Sequence, residues 1–218
     1  QPLVPMIKGL KICGVSDPKT LNYILNHPHP PKFIGFVTNY EKSRRFVEYE
    51  KLKKLVNIEK KNIKFTSVLV NPNDEILEKI KNLNFDYYQL YDVCPERTKE
   101  IKFKYKIKII TAITISNKDD VIKYKDYSSI SDIILFDSKG YHKSESFDHN
   151  LLNGVSKELN KMIAGNIQIN DIPNFKNKDF IIDLSGALED ENGKKDINRI
   201  DKLLNLSSKI WNLKKEYH

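Results

Sequence analysis

Three groups of residues in this sequence have the types and spacing to move protons or hold anions. Lys11 and Cys13 lie two residues apart in the apolar segment Leu10-Lys11-Ile12-Cys13. In an extended strand that spacing turns both side chains to the same face, so an ammonium stands beside a thiol. A free thiol titrates near about 8.5 and becomes a useful base at neutral pH only where a positive neighbour lowers that value. Lys11 is the candidate neighbour, although a cysteine at a strand end is more often a small buried hydrophobe. Asp137 follows the apolar run Ile133-Ile134-Leu135-Phe136. To act as an acid it must keep its proton, which takes burial or a nearby negative charge; a helix cap or a structural ion pair would be its other uses. The third group holds anions. Ser43-Arg44-Arg45 offers guanidinium groups that pair a carboxylate in bidentate geometry, while Ala164-Gly165-Asn166 and Asp183-Leu184-Ser185-Gly186 bring small residues and backbone amides together after two further apolar runs.

The elements that position these residues repeat one unit: a short apolar run, turn residues, then apolar positions at helical spacing. The unit recurs about eight times. Expected strands are Leu10–Cys13, Phe33–Val37, Phe65–Val70, Phe85–Leu90, Lys108–Ile113, Ile133–Phe136, Met162–Ala164 and Phe180–Leu184. They are rich in β-branched and aromatic residues, as buried parallel strands are. Helix starts are expected at Asp17-Pro18, at Asn73-Asp74 with Ile76, Leu77, Ile80 and Leu83 as its apolar stripe, at Pro95, and at Asn117, because orphan amides need a side-chain oxygen and Pro loses nothing at the first helical position. A last helix runs from Asp196, with Ile197, Ile200, Leu203, Leu204 and Ile210 on one face. Strand and helix alternating in this way predict an α/β fold, a (β/α)8 barrel with an outer ring of helices, in one domain over 6–218. A doubly wound sheet would carry a glycine-rich first turn, and Cys13-Gly14-Val15 has one glycine. In a barrel, the groups above all fall at the C-terminal ends of strands, where active sites form.

Composition removes other classes. The chain has 218 residues, 39% hydrophobic and 30% charged, enough apolar surface to fold around a core. Its two cysteines, Cys13 and Cys94, make no disulfide framework and lack zinc-ligand spacing, so a reducing compartment, the cytoplasm, is the expectation, with no metal. Cys94, before Pro95, reads as structural. The apolar stretch Ile107–Ile115 contains Lys108 and two threonines and is far short of a membrane span. Gln1–Pro5 read as processing or added residues ahead of a start at Met6. The net charge of +8 raises nucleic acid as a partner, but the lysines are spread over nearly every expected helix and connection, with only short pairs such as Lys60-Lys61 and Lys214-Lys215.

Lys11-Ile12-Cys13-Gly14, then Ile134-Leu135-Phe136-Asp137-Ser138-Lys139 with Phe147-Asp148, then Asp183-Leu184-Ser185-Gly186-Ala187-Leu188-Glu189 with Gly193-Lys194-Lys195-Asp196, resemble the phosphoribosylanthranilate isomerases of tryptophan biosynthesis. Weaker echoes fall between them in order: Phe36-Val37, Lys42 to Val47, Gln89-Leu90 and Ile163-Ala164-Gly165. The resemblance implies an Amadori rearrangement of an aminoaldose to an aminoketose, with no cofactor. It implies Asp137 as general acid and Cys13 as general base. It places Lys11, Arg45 and Asp183 at the substrate, with Arg45 on its carboxylate. Gly165, Asn166, Ser185 and Gly186 take its phosphate, beside a helix N-terminus. The partner is then a small anionic sugar phosphate, not nucleic acid or membrane, and the assembly a monomer or homodimer.

The sequence departs from the family pattern in the loop Tyr141–His149, at Asn166, at Ser185-Gly186-Ala187, and at Tyr91-Asp92, which replace a His-Gly pair. The alternatives are the related aminoaldose isomerase of histidine biosynthesis, against which Cys13 argues because that family uses Asp there, a basic nucleic-acid binder, and a barrel that has lost activity.

Overall fold

The computed structural model describes residues 7–138, 147–175 and 179–215. Eight parallel strands close into a barrel in chain order, each hydrogen-bonded to the next and β8 to β1. They are β1 (Ile7–Cys13), β2 (Phe33–Val37), β3 (Lys64–Val70), β4 (Tyr87–Tyr91), β5 (Lys108–Thr114), β6 (Ile133–Asp137), β7 (Lys161–Ile163) and β8 (Phe180–Leu184). The expected barrel is the observed one, and β2 and β8 have the expected ends. The β4 strand begins at Tyr87, not Phe85. Asp86 ahead of it is tied by its carboxylate to Lys60 Nζ (2.9 Å) and the Phe65 amide (2.8 Å), which holds residues 85–86 in a turn.

Strand alternation sorts side chains into two cores. Outward residues such as Ile12, Ile34, Phe36, Phe65, Leu69, Ile134, Phe136 and Ile182 are buried against the surrounding helices. Inward residues Phe33, Tyr87, Ile110, Ile133, Leu135, Met162 and Ile181 fill the barrel. Two residues further along several of the same strands, the inward face changes character. Gln89 succeeds Tyr87, Asp137 succeeds Leu135 and Asp183 succeeds Ile181, so the charged layer sits on top of the apolar one.

The helices are α1 (Pro18–Leu25), α2 (Tyr49–Val56), α3 (Asp74–Ile80), α4 (Pro95–Tyr105), α5 (Lys118–Val121) and α6 (Ile197–Lys215). Asp17 caps α1 through the Thr20 amide, Asn73 caps α3 through the Ile76 amide, and Asn117 forms a reciprocal capping box with Asp120. Ile200, Leu203 and Leu204 are fully buried, as the stripe on α6 predicts, while the side chain of Ile210 lies outside the described residues.

The outer ring is thinner than eight equal units would make it. After β6 the described residues form one short 3-10 turn, His149–Leu152, and after β7 another, Ile169–Phe175. Pro173 lies inside the second, where its missing amide prevents a longer helix. Gln1–Pro5, Met6 and residues 141–146 of the loop that departs from the family pattern lie outside the described residues. No helix among those described is long and apolar enough to cross a membrane.

Candidate active site

A cleft of about 410 Å3 opens at the C-terminal ends of the strands, lined by residues that include Cys13, Arg45, Tyr91, Asp137, Gly165, Asn166, Asp183, Ser185 and Gly186. Eight of the nine residues singled out in the sequence therefore meet in one place. The ninth, Lys11, lies beneath the floor with 0% of its surface exposed. Its ammonium donates to Asp183 Oδ2 (2.7 Å) and Gln89 Oε1 (2.7 Å). Burial opposes the ammonium most, but Asp183 and Cys13 beside it together outweigh burial and keep the lysine charged. Lys11 thus stands below the other eight, its ammonium held by Asp183 and Gln89.

Lys11 and Cys13 do share a face: a Cβ added at Gly35 on the neighbouring strand would stand 2.8 Å from Cys13 Sγ and 3.4 Å from Lys11 Cε. Even so, the Cys13 thiol titrates above its ordinary value. Burial raises it more than Lys11, Lys195 and Arg45 lower it, and Asp183 adds to the rise. The expected effect of Lys11 is present but outweighed, first by burial of the sulfur and then by the Asp183 carboxylate that also faces it.

Asp137, 5% exposed, ends β6. Burial raises its carboxyl to about 7, with Asp183 adding to the rise, against the hydrogen bond from Tyr91 and the charge of Lys11. Near neutrality a good share of Asp137 is protonated, the state an acid needs.

Arg45 meets a partner that its sequence neighbourhood does not announce. Its Nε and Nη2 each lie 2.7 Å from a Glu189 oxygen, a bidentate pair. Lys195 Nζ donates to the same carboxylate (2.6 Å) and to the Ser185 hydroxyl (3.3 Å) and carbonyl (3.2 Å). Burial works against the Glu189 carboxylate, but Arg45 and Lys195 together hold it below the usual range. Arg45 also leans over Gly14, where φ is +84° and an added Cβ would stand 2.4 Å from Arg45 Cδ. Glycine is required there twice over, by backbone conformation and by contact.

At the expected phosphate end, Gly165 and Asn166 both have positive φ, +106° and +49°. A Cβ at Gly165 would fall 2.3 Å from Ser138 Oγ, so the turns after β6 and β7 touch at that point. The Ser185 hydroxyl donates to the Cys13 carbonyl (3.0 Å), and Gly186 opens a 3-10 turn, Gly186–Leu188, where the expected helix N-terminus is only three residues long.

A model of the family described as N-(5'-phosphoribosyl)anthranilate (PRA) isomerase matches residues 10–206. The chain belongs to the N-(5'-phosphoribosyl)anthranilate isomerase family. The isomerase of that name from Rhizobium etli is 30% identical over 207 residues, 90% of this chain and 92% of that protein. Its counterpart from Campylobacter jejuni is 32% identical over 203 residues, with 89% and 96% covered. The phosphoribosyl anthranilate isomerase structure from Thermotoga maritima shares the fold, with a TM-score of 0.79 over 93% of this chain and 99% of that one at 22% identity.

Within this member of the isomerase family, the residues that sequence reasoning missed are Gln89, Tyr91, Glu189 and Lys195. Each had a signal. Gln89 and Tyr91 share the inward parity of β4, and Glu189 and Lys195 stand inside the motif after β8. Among the described residues, no group of three or more His, Cys, Asp or Glu side chains is arranged to hold a metal ion.

Proposed function

We propose that the chain converts N-(5'-phosphoribosyl)anthranilate to 1-(2-carboxyphenylamino)-1-deoxyribulose 5-phosphate, the Amadori step of tryptophan biosynthesis, with Asp137 as general acid and Cys13 as general base. The observation that carries the assignment of roles is a carboxyl held near 7 that lines the same cleft as a thiol at the end of β1. Asp137 protonates the ring oxygen, and the furanose opens to a Schiff base. Cys13, as thiolate, then removes the C2' proton to give an enolamine that tautomerises to the ketone. One acid and one base complete the rearrangement.

Arg45 presents the guanidinium protons not used by Glu189 to the anthranilate carboxylate, since two of five are spent on that pair. Gly165, Asn166, Ser185 and Gly186 receive the 5'-phosphate, with the Lys195 ammonium directly behind Ser185. Asp183 Oδ1, which has no hydrogen-bond partner among the described residues, takes a ribose hydroxyl. The substrate is the anionic sugar phosphate partner, and the two free cysteines suit a cytoplasmic setting.

The protonation states have a kinetic consequence. Asp137 near 7 and a thiol above its usual value are ordered so that the productive pair, protonated acid and thiolate base, is the minor arrangement of one shared proton. Its share is constant between the two titrations. The expected kcat/KM therefore rises with pH through about 7, levels, and falls above the thiol's value.

Complementation tests the activity. The intact gene should restore growth without tryptophan to a bacterium lacking this isomerase, and the Cys13→Ala gene should not. Failure of the intact gene, with the protein present and folded, overturns the activity; growth from Cys13→Ala removes the thiol from its role. Turnover of the histidine-pathway aminoaldose at a comparable rate would widen the substrate class.

A further inference from the structure

Below the cleft a line of hydrogen bonds crosses the barrel from β8 to β6 through β1 and β4. Lys11 Nζ joins Asp183 Oδ2 and Gln89 Oε1, Gln89 Nε2 lies 3.3 Å from the Tyr91 hydroxyl, and that hydroxyl lies 2.8 Å from Asp137 Oδ2. All five side chains are buried. The chemistry of its members gives the line a direction. A lysine ammonium has donors only, so the amide group of Gln89 must turn its oxygen to Lys11 and its NH2 to Tyr91. The Tyr91 oxygen then accepts from Gln89, and its single proton is left for Asp137.

From this geometry we infer that Tyr91 is a positioning residue for the acid: its hydroxyl occupies Asp137 Oδ2, so the transferable proton sits on Oδ1 and is delivered from that oxygen into the cleft. The inference rests on Asp137 being the acid. A carboxyl with both oxygens unengaged would place its proton on either one, and only one arrangement points at a ligand. The phenol is fit for a fixed donor, because burial first and the charge of Asp137 second hold its own proton far above neutral pH. It also stabilises the carboxylate left after transfer, one hydrogen bond to a charged group in a buried setting. The other groups that act on Asp137 are Asp183 on β8, Lys11 on β1 and the Ser138 amide; among these, Tyr91 makes the largest opposing contribution to the rise caused by burial. Tyr91 stands where the sequence departs from the family pattern, so the arrangement is a property of this chain's own β4.

The test is Tyr91→Phe, read in two ways: the carboxyl-carbon NMR titration of Asp137, its resonance identified by loss in Asp137→Asn, and the acid-side limb of kcat/KM. Removing the donor should move the carboxyl titration up by about one pH unit from near 7, and the limb with it. Gln89→Leu, which keeps the phenol, should shift the titration by less than half as much. The inference is overturned if Tyr91→Phe leaves the carboxyl titration where it was, or if Gln89→Leu moves it as far. If the carboxyl moves in Tyr91→Phe while the kinetic limb stays, the hydrogen bond stands and Asp137 is not the acid. If Tyr91→Phe does not fold, the Gln89→Leu titration and the Asp137 titration in protein carrying 3-fluorotyrosine decide, since the more acidic phenol should lower the Asp137 value.

Discussion

The barrel interior is built in two layers from the same strands. The lower holds Phe33, Tyr87, Ile110, Ile133, Leu135, Met162 and Ile181, and the upper holds Lys11, Cys13, Gln89, Tyr91, Asp137 and Asp183. Strand spacing, twist and closure are shared, so what separates the layers is chemistry alone. The lower layer gains from leaving water, each buried aliphatic or aromatic side chain contributing on the order of 1.5–3 kcal/mol. The upper layer pays a desolvation cost, offset only where every charge finds a partner. Lys11 and Asp183 find one another. Burial still raises the Asp183 carboxyl within that pair, and Asp137, held by the uncharged Tyr91 hydroxyl, rises to about 7. The chemistry proposed above falls in the layer that bears the desolvation cost.

Asp137→Asn is the sharpest way to break the comparison. General acid catalysis is worth roughly 10²–10⁴-fold, so turnover of the purified variant should fall by about that much. Its stability should move the other way. With the folded carboxyl near 7 and the unfolded one near its ordinary value, the folded chain holds an extra proton between about pH 4 and 7, and wild-type stability falls as pH rises across that window. The amide variant escapes the fall. Melting temperatures should therefore favour Asp137→Asn at pH 8 more than at pH 5; a constant difference would remove the cost assigned to Asp137.

Lys11→Met comes next, with a loss of about 3–5 kcal/mol in urea unfolding because Asp183 is left as an uncompensated buried charge. The double variant with Asp183→Leu should recover most of it. A double variant as unstable as the single one would mean that the charge pair supports the fold by more than mutual compensation.

In the lower layer, Met162→Ala should cost about 2–5 kcal/mol and leave kcat of the folded protein unchanged, since Met162 is fully buried away from the cleft. The smallest effect expected is at Glu189→Gln. Arg45 keeps its place over Gly14 but loses its charged partner, so KM should rise by about tenfold with kcat nearly constant, a change of about 1.4 kcal/mol in binding. A fall in kcat alone would place Arg45 in the chemistry and not in binding.

The barrel was legible because parallel strands buried on both faces are short apolar runs bounded by caps, and Asp17, Asn73 and Asn117 mark the helices with side-chain oxygens that their orphan amides need. The thin stretch after β6 and β7 was not, because neither short helix there has an apolar stripe long enough to separate it from a turn. Within the site, Cys13 and Asp137 were visible as polar residues ending apolar runs. The contacts that hold the neighbouring charges in place were not: Gln89 lies 78 residues from Lys11, and Glu189 lies 144 from Arg45. Such pairings are decided by barrel closure, which local pattern does not encode. The net charge of +8 likewise said little about the site, where Lys11 beneath the floor and Arg45 on the cleft wall are each matched by a carboxylate.

The Lys11–Asp183 pair lies at the seam where the first strand meets the last, with the two residues in direct register and 172 positions apart in the chain. A growing or truncated chain that lacks β8 has an ammonium inside an open sheet with no carboxylate opposite it. The dry interior cannot close around that charge, so premature compaction of the first seven strands is opposed until the last one arrives. Closure of the barrel and the pairing of these two charges are therefore a single event.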